Sequence, residues 1–255
     1  MSPAGATYPR IYLSFSGDTK ELLRSAQERD PLVYPLTRRA SIKDIIEGLG
    51  VPHSEVGRIL LDGLDQSFEK IPFDGEYYHI QPLSPHEPPT VPTFLRPEPL
   101  PACTFLVDVN VGRLAGLLRM AGIDAEAVAA GTAGDELLQR AVDGQRILLT
   151  RNRDLLKHRI LVFGRLVRSQ DPDAQLAEII RLFRLQDELR PFTRCIACNG
   201  LLAEVDKAAI IDSLLPLTRK YFDRFKECPG CGNIYWHGSH HEKMTEKLRR
   251  ILQSS

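Results

Sequence analysis

Four cysteines stand in two matched pairs near the C-terminus: Cys195-Ile196-Ala197-Cys198 and, 29 residues on, Cys228-Pro229-Gly230-Cys231. Two CxxC hairpins can bring four thiolates to the corners of a tetrahedron, the geometry Zn²⁺ takes in structural sites. Turn-forming residues, Asn199-Gly200 and Gly232-Asn233, follow each pair and permit the tight reversal such knuckles need. Two disulfides or a thioredoxin-like redox pair are the competing readings. Matched pairs with no βαβ pattern around either favour metal, with Cys195, Cys198, Cys228 and Cys231 as ligands. A closed four-thiolate site is a scaffold, so reactive chemistry must lie elsewhere.

Carboxylates supply the second candidate. Asp108 follows an apolar run, Thr104–Val109, that reads as a buried strand leading into a helix. In open α/β sheets that edge is where ligands bind. Asp135 opens another helix, and Asp154 follows a further apolar strand, Arg146–Thr150. Carboxylates converging from separate elements can hold Mg²⁺ or Mn²⁺, cations that prefer oxygen ligands and assist phosphodiester cleavage. Asp135 is equally explained as a helix cap, and Asp154 as a surface ion-pair partner.

The elements that must position these groups divide the chain. Over residues 8–83, strands Arg10–Phe15 and Leu32–Leu36 are followed by a capping-box sequence at Ser41–Asp44 that opens a helix, Ile42–Leu49. Strands Arg58–Leu61 and Tyr77–Gln81 complete a small α+β unit over 1–83. Residues 84–101 carry seven prolines and read as a semi-rigid linker. Over 102–190, strands alternate with helices at Gly112–Ala121, Asp135–Val142 and Asp173–Leu185, implying a parallel sheet. Residues 191–255 hold the knuckles, helices over Ala208–Leu214 and Pro216–Phe225, and a terminal basic helix, Met244–Gln253. Leu217, Tyr221, Phe222 and Phe225 form an apolar stripe expected to be core.

The net charge is zero, yet residues 1–101 hold 10 basic and 14 acidic side chains, and the remainder is correspondingly basic. Arg151, Arg153, Lys157, Arg159, Arg165 and Arg168 concentrate the excess and suggest a polyanion partner. No apolar run has membrane-span length. Met1–Gly5 lacks a signal-peptide shape and the knuckles use four of five cysteines, leaving Cys103 as an inert thiol, so a cytoplasmic location is expected.

Several motifs now combine. Asp108 with Gly112-Arg113-Leu114-Ala115, then Asp135-Glu136-Leu137, then Leu148-Leu149-Thr150-Arg151, then the knuckles with Tyr235-Trp236-His237-Gly238-Ser239-His240 and Met244, resemble the Mut7-C domain family. The Asp74–Leu83 segment resembles the close of ubiquitin-like β-grasp domains. The resemblance implies an α/β PIN-like domain with a C-terminal zinc ribbon, preceded by a small β-grasp domain. It also implies a metal-dependent ribonuclease acting on RNA. Where the family pattern carries Asp after Leu-Leu-Thr-Arg, this chain has Asn152, a neutral oxygen ligand. The expected catalytic set is Asp108, Asp135, Asn152 and Asp154. Arg113, Arg151, Arg153, Lys157, Trp236 and His240 are expected to contact RNA. The alternative is a non-catalytic RNA-binding or adaptor protein, with the β-grasp domain docking a protein partner or shielding the basic run.

Overall fold

A computed structural model describes residues 8–24 and 30–253, so Met1–Gly5 lie outside it. Strand β1 (Arg10–Phe15) alternates outward and buried residues and is followed by α1 (Gly17–Glu21) and β2 (Leu32–Pro35). Helix α2 (Ile42–Gly48) starts as expected. Ser41 Oγ accepts from the Asp44 amide at 3.1 Å, and the Asp44 carboxylate accepts from the Ser41 amide at 3.3 Å. Strands β3 (Val56–Leu61), β4 (Leu64–Asp65) and β5 (Tyr77–Pro82) complete a sheet of order β2-β1-β5-β3-β4. Within it β1 and β5 are parallel and the other pairs antiparallel.

The second unit comprises β6 (Phe105–Val107), α3 (Gly112–Met120), β7 (Ala125–Ala127), α4 (Gly134–Asp143), β8 (Ile147–Thr150), α5 (Arg153–Leu156), β9 (Gly164–Leu166) and α6 (Pro172–Leu182). All three strand pairs are parallel, in the order β7-β6-β8-β9. Side chains on β6 and β8 are buried on both faces, as a helix-covered parallel sheet requires. Phe105, Val107, Ile147 and Leu149 enter one apolar cluster with α3 and α6, while Leu106 and Leu148 enter the other with α4. From β6 the chain steps outward to β7, then crosses back to place β8 on the other side. The C-terminal ends of β6 and β8 therefore flank a topological switch point.

The C-terminal unit pairs β10 (Ala203–Val205), β11 (Phe225–Glu227) and β12 (Ile234–Trp236) antiparallel. Short helices α7 (Lys207–Ile210) and α8 (Pro216–Tyr221) lie between the first two strands, and α9 (Ser239–Gln253) ends the described chain. Leu248 and Ile251 of α9 are buried in the core formed with α3 and α6. The helix expected over 216–225 stops at Tyr221, and Phe225 begins a strand. The predicted core stripe is split accordingly: Phe225 is buried, but Leu217 and Tyr221, on a six-residue helix, are 69% and 64% exposed.

The proline-rich segment is no free spacer. Arg96, at its centre, is buried, donating to the carbonyls of Val56 (2.9 Å), Ser54 (3.1 Å) and Val162 (3.3 Å), so it ties both flanking units together. The basic run meets the N-terminal unit as well. Arg165, almost fully buried on edge strand β9, pairs with Glu55 at 2.5 Å, Asp18 at 2.8 Å and Glu178 at 3.0 Å. Glu55 also accepts from the Leu166 amide at 2.6 Å, satisfying a backbone donor at the sheet's open edge. Burial works against both charges. At Arg165 three carboxylates outweigh it and hold the guanidinium charged; at Glu55, with Arg165 as its nearest cation, burial prevails and raises the carboxyl.

Candidate functional site

Asp108 sits where β6 ends, directly at the switch point, and is buried to 7% exposure. Its Oδ2 accepts from Thr150 Oγ1 at 2.6 Å and from Asn110 Nδ2 at 2.7 Å. Thr150, fully buried at the end of β8, also accepts from the Asn152 amide at 3.0 Å. Asn110 Oδ1 accepts from the Arg151 amide at 3.1 Å. One hydrogen-bonded network thus joins the two strand ends and fixes the orientation of Asp108. Asp108 Oδ1 has no hydrogen-bond partner among the described residues. Neither Asn110 nor Thr150 was among the expected site residues; their signal was position alone, one flanking Asp108 and one closing the apolar strand.

The other expected acidic groups are placed differently. Asn152 caps α5, its Oδ1 accepting from the amides of Asp154 at 3.0 Å and Leu155 at 3.5 Å. Asp154 lies exposed in the first turn of α5, and Asp135 exposed in the first turn of α4. Among the described residues, the four cysteines are the one group of three or more His, Cys, Asp or Glu side chains within common ligand reach. Asp108, Asp135 and Asp154 are therefore not gathered, and the oxygen of Asn152 is already used. Mg²⁺ or Mn²⁺ does not fit these residues as they stand.

The expected phosphate-binding cations are likewise sorted by the fold. Arg113 is exposed at the start of α3 with no anionic partner among the described residues. Arg151 is exposed and donates to the carbonyls of Arg168 (2.9 Å) and Ser169 (2.6 Å), which position its guanidinium without neutralising it. Arg153 and Lys157 instead reach the N-terminal unit, donating to the carbonyls of Leu22 (3.0 Å) and Glu47 (2.9 Å). Arg168 pairs with Glu21 at 2.5 Å. The basic run is thus mostly a docking face, not an open one. A cleft of about 240 Å³ remains beside it, lined by Arg151, Arg153 and Arg168.

The sulfur atoms of Cys195, Cys198, Cys228 and Cys231 all lie within 4.8 Å of one another, with Cys198–Cys228 at 3.3 Å and Cys195–Cys231 at 3.5 Å. These separations are near the ~3.8 Å expected between thiolates about 2.3 Å from a tetrahedral zinc, and far from bonding distance. No disulfide occurs among the described residues. Burial raises the Cys195 thiol, but hydrogen bonds from the Tyr235 hydroxyl and the Cys198 amide outweigh it and bring it down to about 6, favouring the thiolate a metal needs. The four cysteines thus fit zinc.

The first knuckle is anchored by Arg119. This residue is buried, donating to the carbonyls of Ala125 (2.7 Å), Ile196 (2.9 Å) and Ala197 (2.7 Å). Asp124 completes the anchor, accepting from Arg146 (2.6 Å) and Asn199 (2.9 Å) and pairing with Arg194 (3.1 Å). Gly122 must be glycine: at φ +87° its backbone lies so close to the Arg190 carbonyl that a Cβ would sit 2.0 Å from the oxygen. Cys103 is half-buried, its thiol pushed up to about 11 by burial and by the charge of Glu188, consistent with an inert thiol.

Trp236 packs against Phe222 and Phe225, each at 6.4 Å between ring centres. His240 is exposed on the first turn of α9. No helix among the described residues is long and apolar enough to cross a membrane. A family model described as Mut7-C RNAse domain matches residues 103–248, and one described as Mut7-C ubiquitin matches residues 8–87. No curated protein and no solved structure matches the chain.

Proposed function

The chain belongs to the Mut7-C RNAse domain family, with a ubiquitin-like domain in front, and on that footing we propose that it is a ribonuclease-type protein with a PIN-like central domain. It binds RNA across the C-terminal edge of the parallel sheet, with Asp108 at the reacting position. One observation supports this above the others: a buried carboxylate held at the switch point by Thr150 and Asn110, with Oδ1 left for a water. In hydrolysis Asp108 orients the water and takes its proton as oxygen bonds to phosphorus; the bond to the ribose oxygen breaks, and that oxygen takes a proton from solvent. Arg113 and Arg151 face the phosphate. A structural zinc on Cys195, Cys198, Cys228 and Cys231 holds the ribbon, and Asn152, neutral and committed to its cap, keeps cleavage slow.

Asn152 also favours a second reading, RNA binding without cleavage, since no three carboxylates share a position among the described residues. The ubiquitin-like domain is assigned to packing against β9, and through its outer face to protein docking. Both readings require RNA at the same edge. Arg113→Ala with Arg151→Ala should weaken binding and flatten the salt dependence of affinity by about 1.4 in log–log slope, roughly 0.7 per lost single-strand phosphate contact. Filter binding of a labelled single strand over a salt series measures it. An unchanged slope would move the RNA elsewhere.

A further inference from the structure

A cleft of about 660 Å³ opens between the ribbon sheet and the start of α9. Its volume falls in the ~300–1,000 Å³ range of small-molecule sites. One wall is a stack of three rings. His237 lies 4.0 Å from His241 between centres, inclined at 33°, and His241 lies 4.1 Å from Phe192, inclined at 42°. His237 is exposed, so the stack ends at solvent. Phe192 adopts φ +58°, a left-handed conformation uncommon for a bulky side chain, which costs energy and is retained where a ring must be aimed. Tyr235 also lines the cleft, and its hydroxyl is fixed by the Ile196 amide at 3.2 Å and by Cys195 Sγ at 3.1 Å.

Polar features complete the picture. His241 lines the cleft, and its Nε2 is buried without a hydrogen-bond partner. Arg224 and Lys226 stand on the cleft with no carboxylate partner among the described residues. Of the two lining carboxylates, Asp223 is bound to Lys207 at 2.7 Å, and Glu204 stands opposite Lys226 in the β10–β11 register.

We infer that this cleft is a nucleobase pocket, taking one unpaired base onto the His237–His241–Phe192 stack while Arg224 and Lys226 hold the adjoining phosphate. Stacked rings beside cations not held in ion pairs are the pattern by which single strands are bound, because every base has a π-face and every nucleotide a charge. The pocket rests on the RNA reading above and gives it a substrate class: single-stranded RNA, held on the ribbon apart from the Asp108 edge. A free nucleotide carries the same chemistry and is the second source to distinguish.

Trp236 is the chain's single tryptophan and lines the cleft, so its emission reports occupancy. Wild-type protein is titrated with a single-stranded RNA of about ten nucleotides, the same strand in duplex, and adenosine monophosphate, alongside filter binding of the labelled strand. The single strand should quench Trp236 saturably and the duplex should not. His241→Ala should lower single-strand affinity about tenfold. Arg224→Gln with Lys226→Gln, at solvent-accessible positions, should flatten the salt slope by about 1.4. Zinc content verifies that each variant keeps its ribbon. Adenosine monophosphate binding as tightly as the strand would uphold the base-and-phosphate pocket and assign it to free nucleotides. Retention of labelled RNA with Trp236 emission unmoved, or full affinity in both variants, would overturn the pocket and leave the Asp108 reading standing. No retention of RNA at all would take both.

Discussion

Cys198→Ser should abolish zinc binding at the four-cysteine cluster and unfold the ribbon over residues 195–244. The ribbon's own apolar cluster has three buried members, Ile210, Leu214 and Phe225, too few to hold three short strands together. Structural zinc contributes about 10–16 kcal/mol in small domains of this kind, and a hydroxyl in place of one thiolate forfeits most of it. The loss reaches further because Arg119, itself buried, then has no Ile196 and Ala197 carbonyls to bind. Elemental analysis of purified protein should give one zinc per chain for the wild type and none for the variant, with new protease cleavage confined to 195–244. A zinc-free wild type with its thiols oxidised in pairs would refute the metal assignment.

Arg165→Ala should be nearly as damaging. It leaves Glu55, whose side chain is fully buried, without its cation, and removing one member of a buried pair costs about 3–5 kcal/mol. The ubiquitin-like domain should loosen from β9 at the same time, since Glu55 also binds the Leu166 amide. Urea unfolding and proteolysis across 84–101 measure the two effects. Arg165→Met with Glu55→Gln, which removes the charges of the pair and keeps an oxygen for the Leu166 amide, should recover part of the stability. Equal losses in the single and double variants would show that packing, not the ion pair, holds the interface.

That interface explains why a charge reading of the sequence went only part of the way. Arg153, Lys157, Arg165 and Arg168 stand out as a basic run, but, apart from Glu178 beside Arg165, the carbonyls and carboxylates that receive them lie more than a hundred residues upstream. Sequence proximity carries no trace of such partners. The notion that the acidic N-terminal unit shields the run was nearer the observed contacts than an open RNA face. Local features were legible where one physical cause dominates. Ser41 and Asp44 form the capping box their spacing implies, and β6 and β8, apolar throughout, are buried on both faces. Strands β7 (Ala-Glu-Ala) and β9 (Gly-Arg-Leu) went unrecognised because three residues without alternation show no period; only pairing with β6 and β8 makes them strands. The stripe through Leu217 and Tyr221 had helical spacing, yet α8 ends too soon to bury it.

The candidate site was legible in the same uneven way. Asp108 was placed by the rule that ligands gather at strand ends, and it is there. Spacing cannot say whether Asp135 and Asp154 turn toward it, and cannot reveal that Asn152 spends its oxygen on two amides. Nor did Thr150 and Asn110 announce themselves, since their role arises only when β6 and β8 lie side by side.

The most direct measurement is cleavage of single-stranded and structured RNAs in Mn²⁺ by wild type, Asn152→Asp, and Asn152→Asp combined with Asp108→Asn. Aspartate caps a helix as well as asparagine does, so the first variant keeps α5 while adding a charge beside the Thr150–Asp108 network. Cleavage by Asn152→Asp should exceed that of wild type by on the order of tenfold, because the added carboxylate supplies the negative charge a hard cation needs. The double variant should lose all cleavage while still binding RNA, and a chelator should return Asn152→Asp to the wild-type rate. Equal rates in wild type and Asn152→Asp, or cleavage that survives Asp108→Asn, would contradict a reacting position at Asp108.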